Sequence, residues 1–353
     1  MRNKTSYKQD IELLKTLIEI PSFSKAENET CDVIQKWLGS FRVKTNRHLN
    51  NVWAFNKHYD ESKPTILLNS HHDTVRPNKN YTLNPFEAIE ENGKLFGLGS
   101  NDAGGCLVSL LAVFVHFYKK KDMKYNLLIA ATAEEEISGP YGIASILDQL
   151  PEIEFALVGE PTGMEMAIAE KGLLVIDGYA IGTAGHAAHE NTENAIYSAL
   201  KDIDWIRNYD FPLVSNSLGK VKASVTQIDA GEQHNVVPAL CHFVIDVRVN
   251  DCYSNLEVFR ILDRHVGSKL EARSFRLTSS SISVDHKFVK AGIKLGRTTY
   301  GSGTISDQAL LKCPSLKMGP GDSTRSHISD EFIDVKEIKE GIKIYVQLLN
   351  EII

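Results

Sequence analysis

Residues 65–77 read TILLNSHHDTVRP, a short apolar run that ends in two histidines and an aspartate. A run of this length without polar alternation predicts a strand buried on both faces. Two more runs have the same form, NLLIAAT at 126–132, followed by acids, and FALVGE at 155–160. Helical patterns separate the runs, GGCLVSLLAVFVHFYKKK from residue 104 and YGIASILDQL after Pro140. The order strand, helix, strand predicts an α/β domain built on a mostly parallel sheet with helices on both faces. Such sheets bind ligands beyond the carboxyl ends of their strands, and here all three strands end in His, Asp or Glu.

From Leu173 the texture changes to alternating segments, LLVIDGYAIG, GKVKASVTQI and ALCHFVIDVRV, with amphipathic helices near 195–207 and 256–266. Strand, helix, strand, strand, helix, strand predicts an inserted α+β unit of ferredoxin-like form. The expected division is 1–172 with 284–353 for the main domain and 173–283 for the insertion. No repeat or low-complexity tract interrupts this plan.

The chain has 353 residues, enough for two domains, and a net charge of −6, which gives no reason to expect nucleic acid or an anionic membrane as partner. Five scattered cysteines without a C-x-x-C pair fit a reducing cytoplasm. The N-terminus mixes charges among Ile11, Leu14, Leu17 and Ile18 at helical spacing, unlike a signal peptide. The apolar run Leu107 to Tyr118 falls short of the roughly 20 residues that span a bilayer and reads as a buried helix.

Alternate residues of a strand share a face, so His71 and Asp73 point together and His72 points away. This suits a metal ligand whose ring is oriented by an acid, or more plainly an Asp that caps a turn beside a solvated His. In GLGSNDAGGC, Asp102 stands among four glycines where a phosphate loop of the G-x-G-x-x-G type would have its last glycine. A carboxylate there repels phosphate and favours cations. Three consecutive acids, Glu134 to Glu136, repel one another unless cations or protons neutralise them. Glu160 ends the third strand, and His327 lies in GDSTRSHISDEF near the end of the chain. A set of His, Asp and Glu from five segments suits Zn²⁺ and tolerates Co²⁺ or Mn²⁺.

These motifs resemble those of the M20 co-catalytic metallopeptidases and deacylases. SHHDTV matches the family's H-x-D, GLGSNDAGG its G-x-G-x-x-D-x-x-G-G and TAEEE its D-E-E, with VGEPT, GTAGHAAH, NVVP and the late histidine following in order. The resemblance implies two divalent ions, one held by His71, Glu160 and Asp102, the other by Asp102, Glu136 and His327. It implies Glu135 as general base and Asp73 as the acid behind His71. The insertion would be a lid and dimerisation domain whose His186 reaches the partner subunit's site in a homodimer. Asn235 and Arg248, with Lys171 assisting, would hold the substrate carboxylate. The activity implied is removal of an acyl group from an amino acid, N-acetylornithine in arginine biosynthesis first, an N-succinyl substrate second and a dipeptide third. The sequence departs from the family at Glu134, where Asp is usual, and in AGG after Asp102, where MKGG is common. The peptide after Asp102 is expected to be cis.

Overall fold

The computed structural model describes residues 4–353. Residues up to 168 form one unit with 282–300 and 306–353, and residues 169–281 form a second with 301–305. The second unit thus starts at 169 rather than 173 and claims a short later segment, because the Lys171 N–H donates to the Ser302 carbonyl at 3.1 Å. The first three residues of the expected main domain lie outside the described residues.

In the first unit, strands Asn51–Phe55, Asn126–Thr132, Thr65–His71, Ile153–Val158, Ser315–Lys317 and Met166–Glu170 lie side by side in that order. The middle four run parallel and the outer two antiparallel. Pairing of His71 with Thr132 and of Asn69 with Val158 brings the carboxyl ends level.

Side-chain alternation sends Ile66 and Leu68 into a core shared with helices Lys4–Ile18, Asn28–Ser40, Gly105–Phe117 and Val335–Asn350. Leu67, Leu128 and Ala156 face the other way, against Ile143 and Ile146. On that face the YGIASILDQL stretch forms two 3-10 turns, Ile143–Ser145 and Leu147–Gln149, in place of the single helix its pattern suggests. Only eight residues separate Gly142 from Pro151, too few for a stable run of helix. Gly105–Phe117 is apolar almost all round and buried, so each of its large side chains, such as Phe114, contributes about 1.5–3 kcal/mol through burial. By length and composition Ser100–Phe117 could cross a membrane, but 83% of it is buried within the chain's own core.

In the second unit, strands Lys222–Ala230, Leu240–Val249, Gly172–Ile181 and Lys269–Ala272 form an antiparallel sheet in that order. Helices Ala195–Asn208 and Asn255–His265 follow the first and third strands in chain order. This is the ferredoxin-like arrangement. Leu174, Ile176 and Ala180 alternate inward to meet Phe243, Ile245, Val258 and Leu262. Gly178 admits no side chain, since a Cβ there would stand 2.4 Å from the Phe243 ring.

Candidate metal centre

Three of the four parallel strands, Thr65–His71, Asn126–Thr132 and Ile153–Val158, lead to a common rim that carries His71, the pair Glu135 and Glu136, and Glu160. His71 ends its strand with Nδ1 2.9 Å from the Asp73 carbonyl oxygen and 3.4 Å from Asp73 Oδ1. Its Nε2 faces Asp102 Oδ1 at 3.4 Å, Glu160 Oε1 at 3.7 Å and Glu135 Oε2 at 3.9 Å. The other oxygen of Asp102 lies 3.6 Å from His327 Nε2, which is in turn 3.0 Å from Glu136 Oε2. The floor is closed and the rim open, with His71 1% exposed, Glu136 7% and His327 52%. His72 points away, as alternation requires, to Thr30 and the Asn50 carbonyl.

The electrostatics of this cluster call for positive charge. Burial pushes the Glu160 carboxyl up to about 8, with Asp102 adding to the effect. Burial likewise raises Glu135 well above the usual carboxylate range, and Glu160, Asp307 and Glu136 reinforce it. Burial alone would depress His71, yet the Asp102 and Asp73 carboxylates outweigh it and hold the imidazole well above its ordinary value. The hydrogen bond to Glu136 lifts His327 to about 9. His71 Nε2 and Glu160 Oε1 are buried without any hydrogen-bond partner, an arrangement costly for groups that are not ligands. Donor atoms of His71, Asp102 and Glu136 lie within 4.8 Å of one another, as do those of His71, Glu135 and Glu160. A mixed nitrogen and oxygen set of this kind fits divalent cations, with Asp102 offering one oxygen to each histidine.

The surroundings fix these groups through backbone contacts. Asp73 accepts the N–H groups of Glu135 at 3.0 Å and Glu136 at 3.2 Å and the Ser24 hydroxyl at 2.7 Å. Its carboxylate therefore aims the acidic loop, while its main-chain carbonyl is the nearer partner of His71. Glu134 turns out of the rim at φ +52°, where its carboxylate accepts the Tyr141 N–H at 3.2 Å. The Asp102–Ala103 peptide is cis. Glu331 accepts N–H groups of the Asp102 loop, and the Asn101 amide bridges the Asp322 backbone at 3.0 Å on both sides. Asp307, buried against Thr132, is the third support that sequence reasoning missed. Of these only Glu331, in the charged run SDEF four positions after His327, left a trace in the sequence.

The second unit holds the remaining expected residues. His186 and Asn235 are exposed on neighbouring segments joined by the Ala187 N–H to Asn235 carbonyl bond at 3.0 Å. Arg248 forks onto Asp246 at 2.8 and 3.0 Å, and Lys171 Nζ donates to the Lys220 carbonyl at 2.6 Å. Both cations are thus engaged within their own unit.

The sequence profile of peptidase family M20/M25/M40 matches residues 67–351. A succinyl-diaminopimelate desuccinylase of Cereibacter sphaeroides is 24% identical, covering 97% of this chain and 98% of its own. An acetylornithine deacetylase of Buchnera aphidicola subsp. Schizaphis graminum is also 24% identical, over 96% of this chain and 97% of its own. In fold the chain is similar to an M20 family metallo-carboxypeptidase, Sso-CP2 from Sulfolobus solfataricus, with TM-score 0.78 at 18% identity over 97% of this chain and 98% of that one.

Proposed function

The chain belongs to peptidase family M20/M25/M40 and is a hydrolytic enzyme, and from that premise we propose that it cleaves the amide bond of an N-acyl amino acid. The observation that carries this reading is the Asp102 carboxylate, whose two oxygens face His71 and His327 separately beside a further acid, Glu135. His71, Glu160 and Asp102 would hold one divalent ion, and Asp102, Glu136 and His327 the other. Zinc suits the donors best, with cobalt or manganese as replacements. When bound, such ions supply Lewis acidity toward the amide carbonyl and toward water.

The chain's own residues do the rest. Glu135, with proton affinity raised by burial, takes a proton from the attacking water and returns it to the leaving amine. Asp73 holds the backbone of that glutamate in register through the N–H groups it accepts. His186 would serve a second copy of the chain in a homodimer, donating to the developing oxyanion. Its exposure and its Nδ1, already accepting the Ala188 N–H at 3.2 Å, leave Nε2 for that task. Arg248, Asn235 and Lys171 would hold a substrate carboxylate once Arg248 exchanges Asp246 for it.

N-acetylornithine is the substrate that the family resemblance implies first. The desuccinylase names among relatives at 24% identity favour an N-succinyl amino acid as a second reading. Turnover by zinc-loaded protein of N-acetylornithine, N-succinylornithine, N-succinyl-diaminopimelate and a dipeptide decides between them. One acyl class should exceed the others in kcat/KM by about 10- to 200-fold, the range that a few pocket contacts provide. Absence of amide hydrolysis across the whole set would sink the proposal.

A further inference from the structure

We infer that Glu331 is a positioning residue that occupies the anion cradle of the glycine-rich loop and thereby sets the angle at which Asp102 serves two cations. The inference rests on the two-cation reading above. Four N–H groups of the loop converge on this one residue. Gly97 donates to its carbonyl at 3.0 Å, Gly99 to Oε2 at 3.1 Å, and Asn101 and Asp102 to Oε1 at 2.8 and 2.9 Å. Gly99 makes the convergence possible, because its φ of +76° turns the chain and a Cβ would stand 2.6 Å from Thr74 Cγ2. Convergent amides of this kind bind phosphate or other anions in nucleotide loops. Here the chain supplies its own carboxyl group, buried to 1% exposure.

The same carboxylate couples two ligand segments. Glu331 follows His327 by four residues, and the segment between is pinned by Asn78, whose amide donates to the His327 carbonyl at 3.2 Å, and by Asp330, which accepts the Thr82 and Leu83 N–H groups at 2.9 Å each. The Asp102 N–H bond to Oε1 therefore ties the backbone of Asp102 to the strip that carries His327. Removing the carboxylate leaves three buried N–H groups without an acceptor, which frees the loop to rotate. The ion that depends on Asp102 and the half-exposed His327 should then be lost before the one that His71 and Glu160 hold at rigid strand ends.

The test is titration of metal-free protein with Co²⁺, followed by its visible absorption, together with kcat and KM after loading. In Glu331→Ala the second equivalent should bind about 10- to 100-fold more weakly, the first should change little, and kcat should fall in step while KM stays within about threefold. Glu331→Gln keeps Oε1 for Asn101 and Asp102 and should recover most of the loss, whatever the folding of the alanine variant. A folded Glu331→Ala that binds both equivalents as the parent does, or a glutamine variant as impaired as a folded alanine one, would overturn the inference. If the parent itself takes up no second equivalent and hydrolyses no amide, the two-cation reading fails instead.

Discussion

The rim of the first unit and the exposed loop of the second handle polar groups in opposite ways. At the rim His71, Asp102, Glu136 and Glu160 sit at the ends of buried strands or in loops locked by backbone N–H bonds, and their charged atoms, with those of His327, face one another at 3.0 to 3.7 Å. Around His186 and Asn235 the side chains stand in solvent on short segments, and the two cations expected to bind substrate, Arg248 and Lys171, are engaged by local partners. A preorganised cluster holds its geometry before any ligand arrives, which suits cations and reacting atoms. Exposed groups can be assembled by binding or by a second chain, which suits a contact completed only with substrate present. Under the proposed function the preorganised rim would carry the cations and the base, and the exposed groups would complete the site only on binding.

That division can be broken at its strongest point. Glu135→Gln should bind metal like the parent while kcat falls by about 10²- to 10⁴-fold, as expected for removal of a general base. Metal content and steady-state rates measure it, and an active glutamine variant would remove Glu135 from that role. A gentler test concerns the second unit. His186→Ala and Glu135→Gln chains, each inactive alone, should recover roughly a quarter of parental activity when mixed, since half the dimers then carry one intact site. No recovery despite demonstrated subunit exchange would show that His186 acts within its own chain or not at all.

The smallest expected effect is on stability, and it sharpens the electrostatic half of the comparison. In protein stripped of metal, His327 stands near 9 and Glu160 near 8, both above their ordinary values, and His71 is raised as well. The folded state then binds more protons than the unfolded chain across this window, so stability must fall as pH rises. The histidine contributions are fully present below about 6.5 and disappear as pH passes the folded values. Melting temperature of the chelated protein should therefore decline between roughly pH 6.5 and 9, with a weaker decline once metal has displaced those protons. A chelated protein whose melting temperature rises over that window would contradict the assignment of charge at the rim.

Much of this was legible in the sequence because the relevant signals are local. TILLNSH, NLLIAAT and FALVGE read as two-sided buried strands without any knowledge of their neighbours, and the period of two separates His71 from His72. The glycines around Asp102 announced an unusual backbone, and the cis peptide that the family resemblance implied stands at that position. The less local the cause, the worse the reading. YGIASILDQL has helical spacing yet yields two short turns, since its length between Gly142 and Pro151 and its packing against Leu67 and Leu128 override the pattern. Asp73 was expected behind His71 and proves equally to be the hook for the acidic loop, through contacts 62 and 63 residues away in the chain.

By itself, then, the sequence determined where apolar runs end and which groups those ends carry, because burial pattern and residue type are properties of a few neighbouring positions. Only the tertiary structure decided that Glu134 faces Tyr141 while Glu135 and Glu136 face inward, and that Glu331 fills the cradle beside Asp102. Those choices depend on which backbone amides distant segments bring within hydrogen-bond reach, a quantity that no local pattern encodes.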